Sequence, residues 1–402
     1  MEKEDEIKTV VPVLRFPEFS SENSWKIIKF SKYIELFRGS SPRPIKEYLT
    51  EEPNGINWIK IGDTQYADNF MLSVIKEKIT KKGAEKSRYV HKGELILANS
   101  MSFGKTYQLA IDGCIYDGWF VLRGYENSYC KPFLLQLLNS DYIQNQYKKL
   151  SAGGIVLNIS SEIVYQTHLF YTSKQEQRKI ADCLASLDDL IDAATCKIEA
   201  LKEHKKGLMQ RLFPVRGKNI PELRFPEFLG MEGWKENKLK KLCEIGNGKD
   251  YKHLGKGNIP VYGSGGYMTS VDDFLYDGES VCIGRKGTID KPMFLTGKFW
   301  TVDTLFYTHS FRNCLPKFLY LIFQQIDWYK YNEAGGVPSL SKATIGEIAV
   351  FVPIEKNEKQ KEQQKITDCL FSLDELIGAT TRKVEALKEH KKGLMQQLFP
   401  KI

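Results

Sequence analysis

Long apolar runs are missing from this chain of 402 residues. No stretch approaches the roughly 18 consecutive apolar residues of a membrane-spanning helix, which excludes a helical membrane protein. The acidic start Met1-Glu-Lys-Glu-Asp-Glu6 has no apolar stretch of the kind a signal peptide needs, so a cytoplasmic protein is expected. The eight cysteines, at 114, 130, 183, 196, 243, 282, 314 and 369, make no Cys-x-x-Cys pair and no Cys/His cluster at zinc-ligand spacing. Buried free thiols in a reducing compartment are expected, and no metal site. Missing too are a Walker-type G-x-x-x-x-G-K followed by Ser or Thr, a G-x-G-x-x-G opening a helix, an H-E-x-x-H, and the Asn/Asp-Pro-Pro-aromatic tetrapeptide of amino-methyltransferases. Charge of one sign is not abundant either. The 58 Lys and Arg against 50 Asp and Glu leave +8, spread along the whole chain, which permits nucleic-acid binding without pointing to it.

What the chain does have is a duplication. Leu14-Arg-Phe-Pro-Glu-Phe19 returns as Leu223-Arg-Phe-Pro-Glu-Phe228, and Trp25-Lys26 as Trp234-Lys235, both at an offset of 209. A longer block starting at Glu176 returns at Glu362, an offset of 186, and ends in Leu212-Phe-Pro214 and Leu398-Phe-Pro400. Within it, Glu199 to Gln210 is copied without change as Glu385 to Gln396. The ends of the two copies have stayed alike while their middles have diverged. The organisation expected is four segments: 1–173, 174–214, 215–357 and 358–402, a domain followed by a rod, written twice.

The rods are read from periodicity. Ile180, Leu184, Leu187, Ile191, Ala194, Ile198, Leu201, Leu208 and Leu212 alternate steps of four and three, with Lys205 filling the one gap. The second copy repeats this with Ile366, Leu370, Leu373, Ile377, Thr380, Val384, Leu387, Leu394 and Leu398, and Lys391 at its gap. That is a coiled-coil seam sustained for more than four heptads. Each lysine is expected to lay its stem along the seam and carry its ammonium out to water. Pro214 and Pro400 end the helices, giving rods of roughly 55 Å at 1.5 Å per residue. Antiparallel pairing of the two rods is the economical arrangement; the alternative is two helices packed on their own domains.

Before each rod the pattern is mixed. Strand-like runs such as Trp58-Ile-Lys-Ile61, Glu94-Leu-Ile-Leu97, Trp119-Phe-Val-Leu122 and Ser280-Val-Cys-Ile283 alternate with turn residues and with short helical patterns opening at Pro132 and Pro316. An α+β domain is expected in each half. Basic, Gly-rich loops fall at comparable places in both: Arg38-Gly-Ser-Ser-Pro-Arg43 and Gly248-Lys249, Ser100-Met-Ser-Phe-Gly-Lys105 and Gly284-Arg-Lys-Gly287, Ser151-Ala-Gly-Gly154 and Glu333-Ala-Gly-Gly336. Glycine lets the backbone approach a phosphate, hydroxyls and cations supply donors, and Arg can read guanine edges. The candidate DNA-contacting residues are therefore Arg38, Ser40, Arg43, Ser102, Lys105, Lys249, Arg285 and Lys286, set against the plainer reading of exposed turns. Glu203-His-Lys205 and Glu389-His-Lys391 have a carboxylate–Lys spacing found in nucleases but lie on the rods, where a solvated flank accounts for them.

The chain resembles the specificity subunits of type I restriction–modification enzymes over essentially its whole length. The resemblance is carried by Glu176 to Ile180 and Glu362 to Ile366 (Glu-Gln-x-Lys-Ile), Leu187 to Ile191 and Leu373 to Ile377 (Leu-Asp-x-Leu-Ile), and Lys206 to Gln210 and Lys392 to Gln396 (Lys-Gly-Leu-Met-Gln). Ile259 to Gly266 and Ile283 to Thr288 resemble a recurring form of the family's target-recognition domain. The resemblance implies two tandem recognition domains held apart by two long antiparallel helices in pseudo-twofold arrangement, each domain reading one half of a bipartite, asymmetric site on double-stranded DNA. It implies a chain with no catalytic residues and no cofactor of its own. Two modification subunits would dock on the helices and transfer a methyl group from S-adenosylmethionine to adenine N6. Restriction subunits, two being expected, would add ATP- and Mg-dependent translocation and cleavage; a complex with modification subunits alone is the alternative. Beside this stand two other classes: a stand-alone nuclease or methyltransferase, which needs a motif the chain lacks, and a coiled-coil scaffold that binds only protein. The helices would act as a ruler, so inserting four residues in one of them is expected to change the spacer between half-sites.

Overall fold

Leu95–Ala98 is buried at every position and Trp119–Arg123 at all but its last, because both faces of their sheet are covered. In the computed structural model, which describes residues 8–100, 103–151, 158–215, 217–353 and 360–400, the chain divides into two compact units. The first comprises 1–194 with 383–402, the second 195–382. This division differs from the four-segment one, since it cuts both long helices, Lys174–Leu212 and Lys361–Leu398, near their middles. Each unit thus owns one half of each helix.

The first unit is built on a five-stranded sheet in the order Glu35–Arg38, Trp119–Arg123, Leu95–Ala98, Thr106–Leu109, Met71–Leu72. A second five-stranded sheet includes Ile56–Ile59 and Gly113–Ile115. The second unit repeats the leading strands of the first sheet: Glu244–Asn247, Leu305–His309, Ser280–Gly284, Met293–Leu295. The helices Lys131–Asn139 and Pro316–Phe323 supply the aromatic centre of each core, with Phe133 against Trp25 and Phe399 in one, and Phe318 against Trp234 and Phe213 in the other. Phe213 and Phe399 come from the Leu-Phe-Pro ends of the helices, which explains why those ends are repeated.

Both sequence repeats meet at one buried anchor per unit. In the first, Arg15 forms a two-pronged ion pair with Glu176 at 2.8 and 2.9 Å, and the Trp25 indole donates to the same carboxylate at 2.9 Å. In the second, Arg224 pairs with Glu362 at 2.7 Å through both oxygens and Trp234 donates at 3.3 Å. The next residue, Gln177, accepts from the Cys130 N–H and donates to the Ser128 and Thr172 carbonyls. Gln363 likewise accepts from Leu315 N–H and donates to the Asn313 carbonyl. The start of each long helix is thereby tied to the cap of a domain helix by hydrogen bonds that a buried polar pair must make.

Within each unit the helix halves run antiparallel. In the first, Leu398 and Phe399 share a core with Ile180 and Leu184 while Lys391 pairs with Asp188. In the second, Leu212 and Phe213 share a core with Ile366 and Leu370 while Lys205 pairs with Asp374. All the seam residues expected from the sequence are buried or half-buried. The lysines at the gaps do not reach water: each side chain is 13% exposed, and its ammonium lies 2.5 to 2.7 Å from both oxygens of an aspartate on the facing helix. The aspartates belong to the repeated Leu-Asp-x-Leu-Ile motif, so two marks of the duplication are the two halves of one ion pair.

Candidate nucleic-acid interface

Backbone hydrogen bonds show which loops correspond. Gly39 N–H donates to the Trp119 carbonyl and Ser40 N–H to Ile115, as Gly248 N–H does to Leu305 and Lys249 N–H to Thr301. Ser40 and Lys249 therefore hold equivalent positions. A Cβ on either glycine would stand 2.0 or 1.9 Å from a carbonyl oxygen of the crossing segment, Tyr116 or Val302, so only glycine lets these strands pass. Asn99 N–H donates to Gly118 and its carbonyl accepts from Ile159; Arg285 N–H donates to Thr304 and its carbonyl accepts from Leu340. Arg285 is thus matched by Asn99, a residue that sequence reading passed over because it carries no charge.

These loops close around one cleft in each unit. In the second unit it has a volume of about 930 Å³ and is lined by Arg285, Lys286, Asp303, Ser339, Ser341 and Lys342 among others. It joins the Gly284 to Gly287 loop to the Glu333 to Ser341 loop, two of the expected elements, through a backbone bridge between Lys286 and Ser339. Arg285, Lys286 and Lys342 are exposed. Glu333 is held below the usual carboxylate range by the Thr344 and Ser341 hydroxyls and stays ionised there. Lys249 lies outside this lining; its carbonyl accepts from the Trp300 indole at 2.8 Å. A neighbouring cleft, lined by Lys252, Ser264, Tyr267 and Met268, shares Asp303 and Thr304 with the first.

In the first unit the corresponding cleft, about 520 Å³, is lined by Arg38, Asn99, Ser100, Asp117, Ser160 and others. Asp117 organises it. Its backbone carbonyl accepts from Arg38 Nε at 3.2 Å and Asn99 at 2.8 Å, its carboxylate takes the Ser41 hydroxyl, and Arg43 stands 3.7 Å away. Burial pushes the Asp117 carboxyl up, but the Ser41 hydroxyl, a backbone N–H and the two arginines outweigh it, so its pKa falls below the usual range. The structure brings Arg38 and Arg43 together here, while Ser40 bonds outward to the Lys86 carbonyl at 3.3 Å. Lys105 is apart from them, half-buried with its ammonium 5.9 Å from the Phe70 ring, and desolvation lowers its pKa. Ser102 and residues 152–157 of the following loop lie outside the described residues. The first cleft is less basic than the second because Asn99 and Ser100 stand where Arg285 and Lys286 do.

No group of His, Cys, Asp or Glu suited to a metal ion exists among the described residues, and no helix among them is long and apolar enough to cross a membrane. The seam residues are buried or half-buried, and exposed apolar side chains lie elsewhere on the helices. Leu190 and Leu376 are such a pair: equivalent at the offset of 186, 51% and 40% exposed, and each on the outside of its helix.

Comparison with known proteins adds the following. Residues 23–203 and 231–389 match the family model described as the type I restriction modification DNA specificity domain. The chain is 22% identical over 434 residues to the type I restriction enzyme MjaVIII specificity subunit of Methanocaldococcus jannaschii, covering 96% of this chain and 93% of that one. It is 24% identical over 236 residues to the MjaIX specificity subunit of the same organism, covering 56% of this chain and 53% of that one. Its fold is similar to the crystal structure of a type I restriction–modification S subunit from M. genitalium, with a TM-score of 0.63, 18% identity and coverage of 98% and 100%. A chain from a structural study of complex assembly and conformational transition of the type I restriction–modification system aligns with a TM-score of 0.55 and 15% identity over 94% and 97%.

Proposed function

Since the chain belongs to the type I restriction–modification DNA specificity family, we propose that it is the non-catalytic subunit that reads a bipartite, asymmetric DNA site, one half-site per unit, and carries two modification subunits. The observation that carries this reading is the pair of equivalent clefts on unlike surroundings. The scaffold hydrogen bonds are the same in both units, yet the side chains at these positions differ, a buried Asn99 and half-buried Ser100 in one and exposed Arg285 and Lys286 in the other. A common frame with different donors is what two different half-sites require, because donors at base edges decide sequence while the frame sets register. Docking of two copies of one partner is supported by the repeated helices, whose exposed Leu190 and Leu376 offer the same apolar contact twice. In this reading S-adenosylmethionine is held by the modification subunits, and ATP with Mg by restriction subunits where they join. The spacer between the half-sites follows from the length of the helices.

The test is to map methylated adenines across the genome of cells with and without this chain. A two-part motif that disappears with the chain is expected; identical methylation in both overturns the reading. Replacing Arg285 and Lys286 by Ala should weaken site binding and flatten its dependence on salt by about two phosphate contacts if both touch the backbone. An unchanged slope together with an unchanged motif takes both residues out of the interface.

A further inference from the structure

The two adjoining clefts of the second unit differ in chemistry. One sets the cations Arg285, Lys286 and Lys342 against Asp303 and Glu333. Its neighbour, of about 700 Å³, sets Lys252 alone against Asp250 and Asp303, and adds the apolar Tyr267 and Met268. The carboxylates of Asp250 and Asp303 have no partner among the described residues. They repel a phosphate, but they suit the amino groups that cytosine and adenine present in the major groove. The first cleft is thus chemistry for phosphate or guanine, and the second for other base edges.

Tyr267 and Met268 sit on a hairpin of Lys256–Gly263 and Gly266–Val271, closed by Ser264 and Gly265. Successive side chains of a strand point to opposite faces, yet these two line the same cleft. The register supplies the reason. Val261 pairs with Thr269 and Tyr262 with Tyr267, so Met268 is an extra residue, a bulge of the kind that re-aims a side chain. Both are left exposed, at 63% and 51%. The Tyr267 ring stands edge-on to Tyr262 at 6.2 Å, and its hydroxyl is 3.1 Å from that of Ser270, which holds it along the strand. Met268 crosses Gly263, where a Cβ would stand 2.8 Å from its sulfur. The turn rests on the basic loop: a Cβ on Gly284 would stand 3.3 Å from that of Ser264. The first unit is built differently. Ile59 pairs with Ile115 as Tyr262 does with Thr301, so Ile56–Ile59 corresponds to Lys256–Gly263. There, residues 60–76 separate that strand from its antiparallel partner Glu77–Ile79, in place of a two-residue turn.

We propose that Tyr267 and Met268 read the C5-methyl group of thymine in the major groove, and do so only in the half-site of the second unit. This deepens the reading above and rests on it. A two-stranded ribbon fits the major groove, and the thymine methyl is the apolar group that groove offers. Arg285 and Lys286, on the loop beneath the turn, hold the flanking phosphate or guanine. A wedge between base steps needs a side chain that projects freely, whereas Tyr267 is tied along its strand.

The test uses the full chain with its modification subunit, on duplexes carrying the mapped site. Thymines are replaced one at a time by deoxyuridine, which lacks only the methyl group. The parent should lose about fourfold in affinity at one or two thymines, all in one half-site. In Y267A/M268A the same replacements should make no difference, while M268L should keep the discrimination. Both positions are exposed, so these variants should melt as the parent does. Replacements that weaken parent and Y267A/M268A equally, or that weaken neither, overturn this inference and leave the wider reading in place. A 2-aminopurine in the site that brightens with the parent and not with Y267A/M268A, without any effect of deoxyuridine, overturns it in favour of a wedge. A parent complex that binds all sequences alike overturns the wider reading instead.

Discussion

Removing the carboxylate of Glu176 leaves the Arg15 guanidinium, 9% exposed, with no counter-charge at the point where the first long helix joins its unit. A buried pair broken on one side costs about 3–5 kcal/mol, so Glu176→Ala should lower the protection of the first unit against hydrogen exchange by that order, and Glu362→Ala should do so in the second. A combined Arg15→Met, Glu176→Leu variant should recover most of the loss, because no charge is then stranded; protection unchanged in both single variants would show that the anchor holds nothing. The thiols give a second check. All eight cysteines are free, but only Cys114, Cys243, Cys282 and Cys314 are buried, and Cys196 is exposed, so the expectation of buried thiols holds for half of them. Burial pushes Cys282 and Cys243 up to about 12. A raised thiol pKa means less thiolate at a given pH. At pH 8, alkylation followed by mass spectrometry should mark the exposed Cys196 first and the buried Cys282 far more slowly. Equal rates would show that the core opens on the timescale of labelling.

The long helices carry the clearest agreement between sequence and structure, and also the clearest difference. Their seam was legible because a heptad repeat constrains one residue in every three or four, and that constraint survives divergence. The fate of the seam lysines was not legible, since periodicity reports which face a residue is on and says nothing of what its end meets. The structure pairs them with Asp188 and Asp374, and the two pairs are unequal: Asp188 is 13% exposed and Asp374 39%. Replacing Lys391 by Met strands a carboxylate that water scarcely reaches, at a cost of about 2–4 kcal/mol, while Lys205→Met leaves Asp374 partly solvated and costs about 1 kcal/mol. Hydrogen exchange resolved by helix half should show the larger loss between Lys174 and Ala194. Losses of equal size would mean that solvent reaches both pairs alike. The clefts were half legible in the same way. Glycine and charge marked the loops around Arg38 and Arg285, but Asn99, Asp117 and Asp303 join those loops in the clefts only once the chain is folded.

At the scale of the whole chain, the two ion pairs repeat one spacing. Asp188 and Lys205 on one helix and Asp374 and Lys391 on the other are each 17 residues apart, and they pair crosswise. An insertion between the members of either set leaves both ion pairs inside their own units and changes only the length of helix between them. Four residues add about 6 Å and turn the helix by about 400°, so the seam returns close to its place. If the helices measure the site as proposed, at 3.4 Å per base pair this corresponds to about two base pairs of spacer. Four residues added to one helix alone create a mismatch with the other, which the middle of the pair must absorb by bulging. A single insertion should therefore lengthen the spacer by less than two base pairs and weaken exchange protection near Ala194 and Arg382. Matched insertions in both helices should lengthen it by the full amount and restore protection. The half-sites themselves should read the same in all three proteins, because the clefts that present Arg38 and Arg285 lie outside the altered segment. Mapping methylated adenines for the parent, the single and the matched variants decides it: a spacer that does not change with the matched insertion means that the helices do not measure the site.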